Sequence, residues 1–123
     1  MQMRGDCVMI YTSYFAKMRK MTPGQKLCCV SVARYTPKGI KVPVNTVLAP
    51  KADILKAFKE DGDTNKFEIA YREQLKKLDV DKVAQRAQGT ILCCFEKSGD
   101  FCHRHILAEW FNSHGYKCKE LNL

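Results

Sequence analysis

The chain has 123 residues, of which 46% are hydrophobic and 28% are charged, proportions that are typical of a folded domain and exclude a disordered chain. Its formal net charge of +8 favours an anionic small molecule or a nucleotide as partner, with nucleic acid as a further option. No apolar run approaches the roughly 18 residues of a membrane span, and residues 1–6 do not resemble a secretory signal. These features predict a cytoplasmic protein without a membrane partner, with a tail at 1–6 and a single α/β domain at 7–123.

Two strands and a long connection are predicted in the first half of the chain. Residues 7–14 (CVMIYTSY) are rich in β-branched and aromatic side chains, which is typical of a strand. Residues 26–34 (KLCCVSVAR) are apolar on both faces, and this pattern predicts a central strand of a parallel sheet. Residues 35–50 contain three prolines and a glycine, so we expect a long surface loop there.

Four helices are predicted in the second half. The first begins at Pro50 and ends near Gly62, with apolar residues at helical spacing between them. The second follows a capping box made by Asn65 and Glu68. An aspartate at position 79 or 81 caps the third helix, and Asp100 caps the fourth.

Two further strands alternate with these helices, at residues 90–96 and, as an edge strand, at residues 116–121. Strands that alternate with helices predict an α/β fold, with a mostly parallel sheet of about four strands flanked by helices in a Rossmann-like three-layer arrangement. Ligands bind such sheets beyond the carboxyl ends of the strands. That rule points to Tyr11 and Ser13, to Arg34, and to the segment after the third strand.

Seven cysteines occur, two pairs of them adjacent in sequence. An odd number with adjacent pairs makes a poor disulfide framework. We therefore expect reduced thiols that serve as small core residues. This applies to Cys7, Cys28, Cys29, Cys93 and Cys118.

Residues 94–105 (CFEKSGDFCHRH) place two thiols, two carboxylates, two imidazoles and a guanidinium within twelve positions. A helix that begins near Asp100 would put the second thiol in its first turn, where the helix dipole lowers a thiol pKa and favours anions. The catalytic candidates are Cys102, His103 and Glu96. The candidates for ligand binding are Arg34, Arg104, Tyr11, Ser13 and Cys94.

Four stretches of the sequence closely resemble the domain-of-unknown-function family numbered 488, DUF488. They are YTSYF, SVARYTPKG, LAPKADIL and CCFEKSGDFCHRHILAEW, and the resemblance runs from about residue 7 to residue 121. Its most specific part consists of Cys94, Glu96, Phe101, Cys102, His103 and Arg104. The resemblance implies a compact α/β fold found in bacterial, archaeal or phage proteins, and it marks these positions as candidate site residues without supplying an activity.

Several interpretations of residues 94–105 stay open. The leading hypothesis is a small enzyme in which Arg34 and Arg104 hold a phosphorylated or nucleotide-like substrate while the catalytic candidates act as nucleophile, acid or base. A second interpretation is a zinc or iron site. Its ligands would be Cys94, Cys102, His103 and His105.

A third interpretation is structural, with Glu96 paired to Arg104 and both thiols buried. A different functional class, a non-catalytic module that binds nucleic acid or protein, is also compatible with the basic surface. The sequence assigns neither a cofactor nor an oligomeric state.

Overall fold

The computed structural model describes residues 9–95 and 102–123, and four parallel strands form its sheet. The strands are β1 (Ile10–Tyr14), β2 (Cys29–Ser31), β3 (Ile91–Cys94) and β4 (Cys118–Glu120). Their spatial order is β2-β3-β1-β4. The predicted α/β class is thereby confirmed. Because every strand runs in the same direction, all four carboxyl ends meet at one edge of the sheet.

The prediction that β2 is a central strand is wrong, because β2 lies at one border of the sheet and β1 and β3 are central. Its outer side is covered instead by the following loop. The N–H of Ser31 donates to the carbonyl of Pro43, and the N–H of Asn45 donates to the carbonyl of Ser31, each at 2.8 Å. This cover allows an apolar strand at a border. β4 occupies the opposite border, as predicted.

Five α-helices and one 3₁₀ helix accompany the sheet in the described residues. They are the 3₁₀ helix (Phe15–Lys20), α1 (Pro23–Leu27), α2 (Ala52–Asp61), α3 (Thr64–Lys76), α4 (Val80–Ala87) and α5 (His103–Ser113). The helix α1 overlaps the first residues of the strand predicted at 26–34, since it ends at Leu27. It begins after Thr22, which forms a capping box with Gln25. No helix in residues 9–95 or 102–123 is long and apolar enough to cross a bilayer.

Two predicted helix caps are wrong. The cap of α3 is Asp63, whose carboxylate accepts a hydrogen bond from the N–H of Lys66 at 3.1 Å, and not Asn65. The cap of α5 is Cys102, so this helix begins at His103. Asp100, the predicted cap, lies outside the described residues. The later start places Cys102 just before the first turn of the helix.

The core lies on both faces of the sheet, and its two parts are unequal. The larger part combines one sheet face with α2, α3, α4 and α5, and includes Ile10, Leu92 and Phe111. The smaller part joins the opposite face to the 3₁₀ helix and the loop after β2, through Phe15 and Met21. The outcome is a three-layer α/β arrangement with one thin outer layer.

The free thiols mostly follow the prediction of small core residues. Cys29, Cys93 and Cys118 are buried free thiols. Cys28 is exposed, which contradicts the prediction for that position. The reason is local, since Cys28 ends α1 one residue before β2 begins. Cys7 lies outside the described residues.

Candidate functional site

A cleft of about 560 Å³ lies beyond the carboxyl ends of β2 and β3. One side is formed by the residues that directly follow β2, and the other by α2 and its approach. The functional groups along its wall are Arg34, Tyr35, Lys56, Lys59, Phe95 and His103. The position agrees with the rule that parallel sheets bind ligands beyond their strand ends.

Three cationic side chains give the cleft a positive character. Arg34 follows β2, while Lys56 and Lys59 lie one helical turn apart on α2. Within residues 9–95 and 102–123, no residue that lines the cleft is acidic and no ion pair neutralises any of the three cations. The wall therefore attracts anions.

Two aromatic rings are exposed at the same cleft. Tyr35 is 66% exposed and Phe95 is 51% exposed. The ring of Phe95 contacts that of Phe15 edge to face, with centroids 5.4 Å apart, which holds it at the end of β3. Exposed rings beside cationic groups are a common platform for stacking a planar base.

Hydrogen bonds from α3 hold residues 48–51, the segment just before α2, and thereby fix the side of the cleft that α2 forms. The hydroxyl of Tyr71 donates to the carbonyl of Leu48 at 2.5 Å. The amide of Gln74 donates to the carbonyl of Ala49 at 2.8 Å and accepts from the N–H of Lys51 at 3.0 Å. These buried bonds satisfy loop backbone groups that would otherwise be unpaired, and they position the start of α2.

His103, the first residue of α5, is nearly buried and lines the cleft. Its Nε2 lies 2.7 Å from the carbonyl oxygen of Val32. Because a carbonyl only accepts, Nε2 must carry the proton and Nδ1 keeps a lone pair. Burial and then the positive charge of Arg104 lower the His103 pKa to about 4, against an opposing hydrogen bond to Val32. The imidazole is therefore neutral at physiological pH.

Two cysteines lie beside this imidazole. The structure joins Cys94, the last residue of β3, to Cys102 by a disulfide, with Cα atoms 7.5 Å apart. The Nδ1 atom of His103 is 3.8 Å from the sulfur of Cys102. Both sulfurs and the imidazole form a buried group whose ligand atoms all lie within 4.8 Å of one another. Among the described residues, these three side chains are the ones placed to hold a metal ion together.

Arg104 is fully buried, and its charge is balanced within the protein. Its Nε donates to Glu120 at 3.0 Å and its Nη2 donates to the same carboxylate at 2.9 Å. Its Nη1 donates to the sulfur of Cys94 at 3.2 Å, and its guanidinium stacks 5.3 Å from the ring centroid of Tyr14. Thr12 adds a hydroxyl donor to Glu120 at 2.7 Å. This cluster ties β1, β3, α5 and β4 together.

The structure separates the two arginines that the sequence grouped as anion clamps. Arg34 lines the open cleft, while Arg104 faces Glu120 and Cys94 in the interior. Tyr11 packs against the smaller core and Ser13 is buried, and neither lines the cleft. The ligand-binding roles of Arg34, Arg104, Tyr11 and Ser13 stay predictions. Glu96, a catalytic candidate, lies outside the described residues.

Several site residues were missed by the sequence reasoning. Lys56 and Lys59 carry a weak signal, because lysines outside the apolar stripe of a helix are typical of a solvated surface. Phe95 directly follows β3 and Tyr35 lies four residues after the end of β2, so both are near the carboxyl ends of strands, which is a usable signal. Glu120 had none, since its partner Arg104 is sixteen residues away.

Comparison with known protein families gives a match over most of the chain. A family model described as the active DUF488-N3 subclade matches residues 12–115. Neither the curated proteins nor the solved structures contain a significant match to the chain. The matched range includes all six functional groups of the cleft and the pair of bonded cysteines.

Proposed function

The chain belongs to the DUF488 family, and on that premise we propose that it is a small enzyme acting on a phosphorylated or nucleotide-like substrate. The observation that carries this proposal is the composition of the cleft. A space of about 560 Å³ is lined by three cations that form no ion pair within residues 9–95 and 102–123, by two exposed aromatic rings and by one neutral imidazole. That volume is within the range of small-molecule sites.

Each group of the cleft has a part in the proposal. Arg34 binds phosphate oxygens through its fork of N–H donors, and Lys56 and Lys59 add positive charge from α2. Tyr35 and Phe95 stack on the planar part of the substrate. The positive wall and the aromatic rings together favour a substrate in which a phosphate is joined to a planar ring over a substrate that has only one of these groups.

His103 is the group of the cleft that we assign to acid–base chemistry. The hydrogen bond to Val32 fixes its tautomer, so Nδ1 is a proton acceptor without further rearrangement. In the reduced protein without a bound metal ion, the lone pair of Nδ1 would face the thiol of Cys102, which is the candidate nucleophile beside this imidazole. Arg104 then acts as a positioning residue that holds Cys94 and the start of α5.

The experiment is a binding panel of phosphate, pyrophosphate, nucleosides and nucleotides, measured by titration calorimetry. Arg34→Ala and Lys59→Ala should weaken nucleotide binding by about 10-fold to 100-fold each, since a hydrogen bond to a charged group contributes about 1.5–3 kcal/mol. Lys82→Ala is the matched control, because it removes the same charge from the exposed surface of α4.

The binding panel and a turnover assay distinguish the proposed enzyme from a nucleic-acid-binding module. Equal affinity in the wild-type protein, Arg34→Ala and Lys59→Ala would contradict the proposal. Retention of DNA or RNA that falls steeply with salt, with no affinity for free nucleotides, would favour the nucleic-acid-binding module instead. Among compounds that bind, turnover that is lost in His103→Gln would support an enzyme, whereas unchanged turnover would remove His103 from the chemistry.

We also propose a cytoplasmic location. Its support is the presence of three buried free thiols, at Cys29, Cys93 and Cys118, which is the usual state of cysteine in a reducing compartment. Cell fractionation with an antibody to the untagged protein tests this, and recovery in a secreted or membrane fraction would contradict it.

A further inference from the structure

We infer that the reduced protein binds one zinc-class divalent ion through the sulfurs of Cys94 and Cys102 and the Nδ1 atom of His103. The first observation is proximity, because these three ligand atoms lie within 4.8 Å of one another in a buried group. Two thiolates and an imidazole are a donor set that zinc prefers. Three protein ligands also leave one position of a tetrahedral ion for water or a substrate atom.

The second observation is the orientation of the imidazole. A histidine that binds metal through one nitrogen usually donates the other N–H to a carbonyl or carboxylate, which fixes the ring. His103 does this in the structure, since Nε2 donates to Val32 at 2.7 Å and Nδ1 is the nitrogen on the side of Cys102. The hydrogen bond that would orient His103 as a metal ligand is therefore already in place.

The third observation is the spacing of the cysteine backbones. The Cα atoms of Cys94 and Cys102 are 7.5 Å apart, beyond the range of about 4.4–6.8 Å that is usual for disulfides. Two sulfurs that share a tetrahedral zinc ion lie about 3.8 Å apart, because each Zn–S bond is about 2.3 Å long. A shared ion therefore suits this wider backbone separation.

The fourth observation is charge. A divalent ion with two thiolates and a neutral imidazole has no net charge, which lowers the cost of burying the group. Arg104 does not upset this balance, since Glu120 neutralises it. Its Nη1 still donates to the sulfur of Cys94 at 3.2 Å, a contact that stabilises a thiolate. Cys102 caps α5, where the helix dipole also favours a thiolate.

The ion can bind only after the disulfide between Cys94 and Cys102 has been reduced. Two equivalents of a small thiol reduce the disulfide, leaving two cysteine thiols and one oxidised reductant. Binding of the ion then forms two metal–sulfur bonds and releases the two thiol protons. A small-molecule disulfide reverses the step: it takes up two electrons and two protons to give two thiols, the two cysteines form their disulfide again, and the ion is released. Because His103 also lines the cleft, the ion would lie next to the substrate-binding space.

The ion would occupy the Nδ1 atom of His103 and the sulfur of Cys102, so these two groups act in proton transfer and attack only in the metal-free protein. The test of the zinc site needs no substrate. The full-length protein is reduced with a thiol under argon, freed of excess reductant, and titrated with Zn²⁺ against a coloured chelator and with Co²⁺ in an absorption cell. We expect about one ion per chain, with the intense visible bands of tetrahedral cobalt and the ultraviolet charge-transfer band of thiolate ligands.

Variants identify the ligands. Cys94→Ser, Cys102→Ser and His103→Gln should each weaken binding by at least about 10-fold to 100-fold, whereas Cys28→Ala and His105→Ala should keep the wild-type stoichiometry. Circular dichroism confirms that each variant is folded. The cobalt spectrum of the wild-type protein gives an answer even where a variant does not fold.

Three outcomes would overturn the inference. One is a reduced wild-type protein that binds neither ion. Another is a cobalt spectrum without thiolate charge transfer. The last is loss of the ion in His105→Ala or Cys28→Ala, since the ligand set would then be different. Loss of nucleotide binding in Arg34→Ala with unchanged zinc binding would show that the two proposals stand separately.

Discussion

The guanidinium of Arg104 and the carboxylate of Glu120 form a bidentate pair that links the first turn of α5 to the last residue of β4. Arg104 is fully buried, whereas the side chain of Glu120 retains 34% of its exposure. A guanidinium in the interior requires such a partner, because an uncompensated buried charge is strongly unfavourable. The pair therefore links α5 to β4 at the carboxyl edge of the sheet while staying out of the cleft.

Glu120→Gln should lower the free energy of unfolding by about 2–3 kcal/mol. A fully buried pair that loses one partner costs about 3–5 kcal/mol, and the partial exposure of Glu120 reduces this figure. Glu109→Gln is the matched control, since Glu109 pairs with Arg72 on the surface and should change stability by less than about 1 kcal/mol. Urea denaturation measures both, and equal effects would contradict the structural role of the Arg104 pair.

The contribution of Glu120 should depend on pH. Burial raises the pKa of its carboxyl group, but hydrogen bonds from Arg104 and Thr12 and the charge of Arg104 outweigh that effect, so the pKa is lowered from 4.5. A lowered pKa in the folded state means that the stabilisation is complete above the unfolded value and is lost as pH falls through the folded value.

The difference in unfolding free energy between the wild-type protein and Glu120→Gln should therefore be constant from pH 8 down to about pH 5. Below that it should shrink as the carboxylate becomes protonated. Urea denaturation at a series of pH values measures this difference. A difference that is largest in acid would contradict the sign of the shift.

Phe95→Ala and Tyr35→Ala should separate the aromatic from the ionic part of the cleft. Loss of one stacking ring should weaken nucleotide binding by about 10-fold, given about 1–3 kcal/mol for each base–aromatic stack. Binding of pyrophosphate should be unchanged, because it has no ring to stack. Leu27→Ala is the control, since Leu27 is 87% exposed and does not line the cleft. Equal loss for pyrophosphate and nucleotide would contradict the stacking role.

Gln74→Leu should lower the free energy of unfolding by about 2–3 kcal/mol. The buried amide of Gln74 bonds to Ala49 and Lys51 in the chain before α2, and its loss would leave a buried carbonyl unpaired at about 1–3 kcal/mol. Gln74→Leu should also weaken ligand binding, because the segment at residues 49–51 positions the lysines of α2. Gln85→Leu, on the exposed surface of α4, should stay within about 0.5 kcal/mol. Thermal unfolding measures the stability of both variants, and an equal loss in the two would contradict the role of the Gln74 amide.

Local patterns in the sequence were sufficient for most of the secondary structure. The strands β1, β3 and β4 lie within their predicted ranges, because β-branched and aromatic runs favour extended chain through interactions between neighbours. The end of α2 was predicted by Gly62, which adopts a φ of 65° that is costly for other residues. The family was also correctly recognised from motifs that are contiguous in sequence.

Only the tertiary structure decided the border position of β2, the partner of Arg104 and the separation of Arg34 from Arg104. Each depends on contacts between residues distant in the chain, such as Ser31 with Pro43 or Arg104 with Glu120. Hydrophobic and charge patterns determine which residues avoid water, but not which buried residue meets which. The sequence alone therefore determined most of the elements and marked residues 94–105 as the candidate segment. The packing of α2 against α3 decided which cations share a cleft with His103.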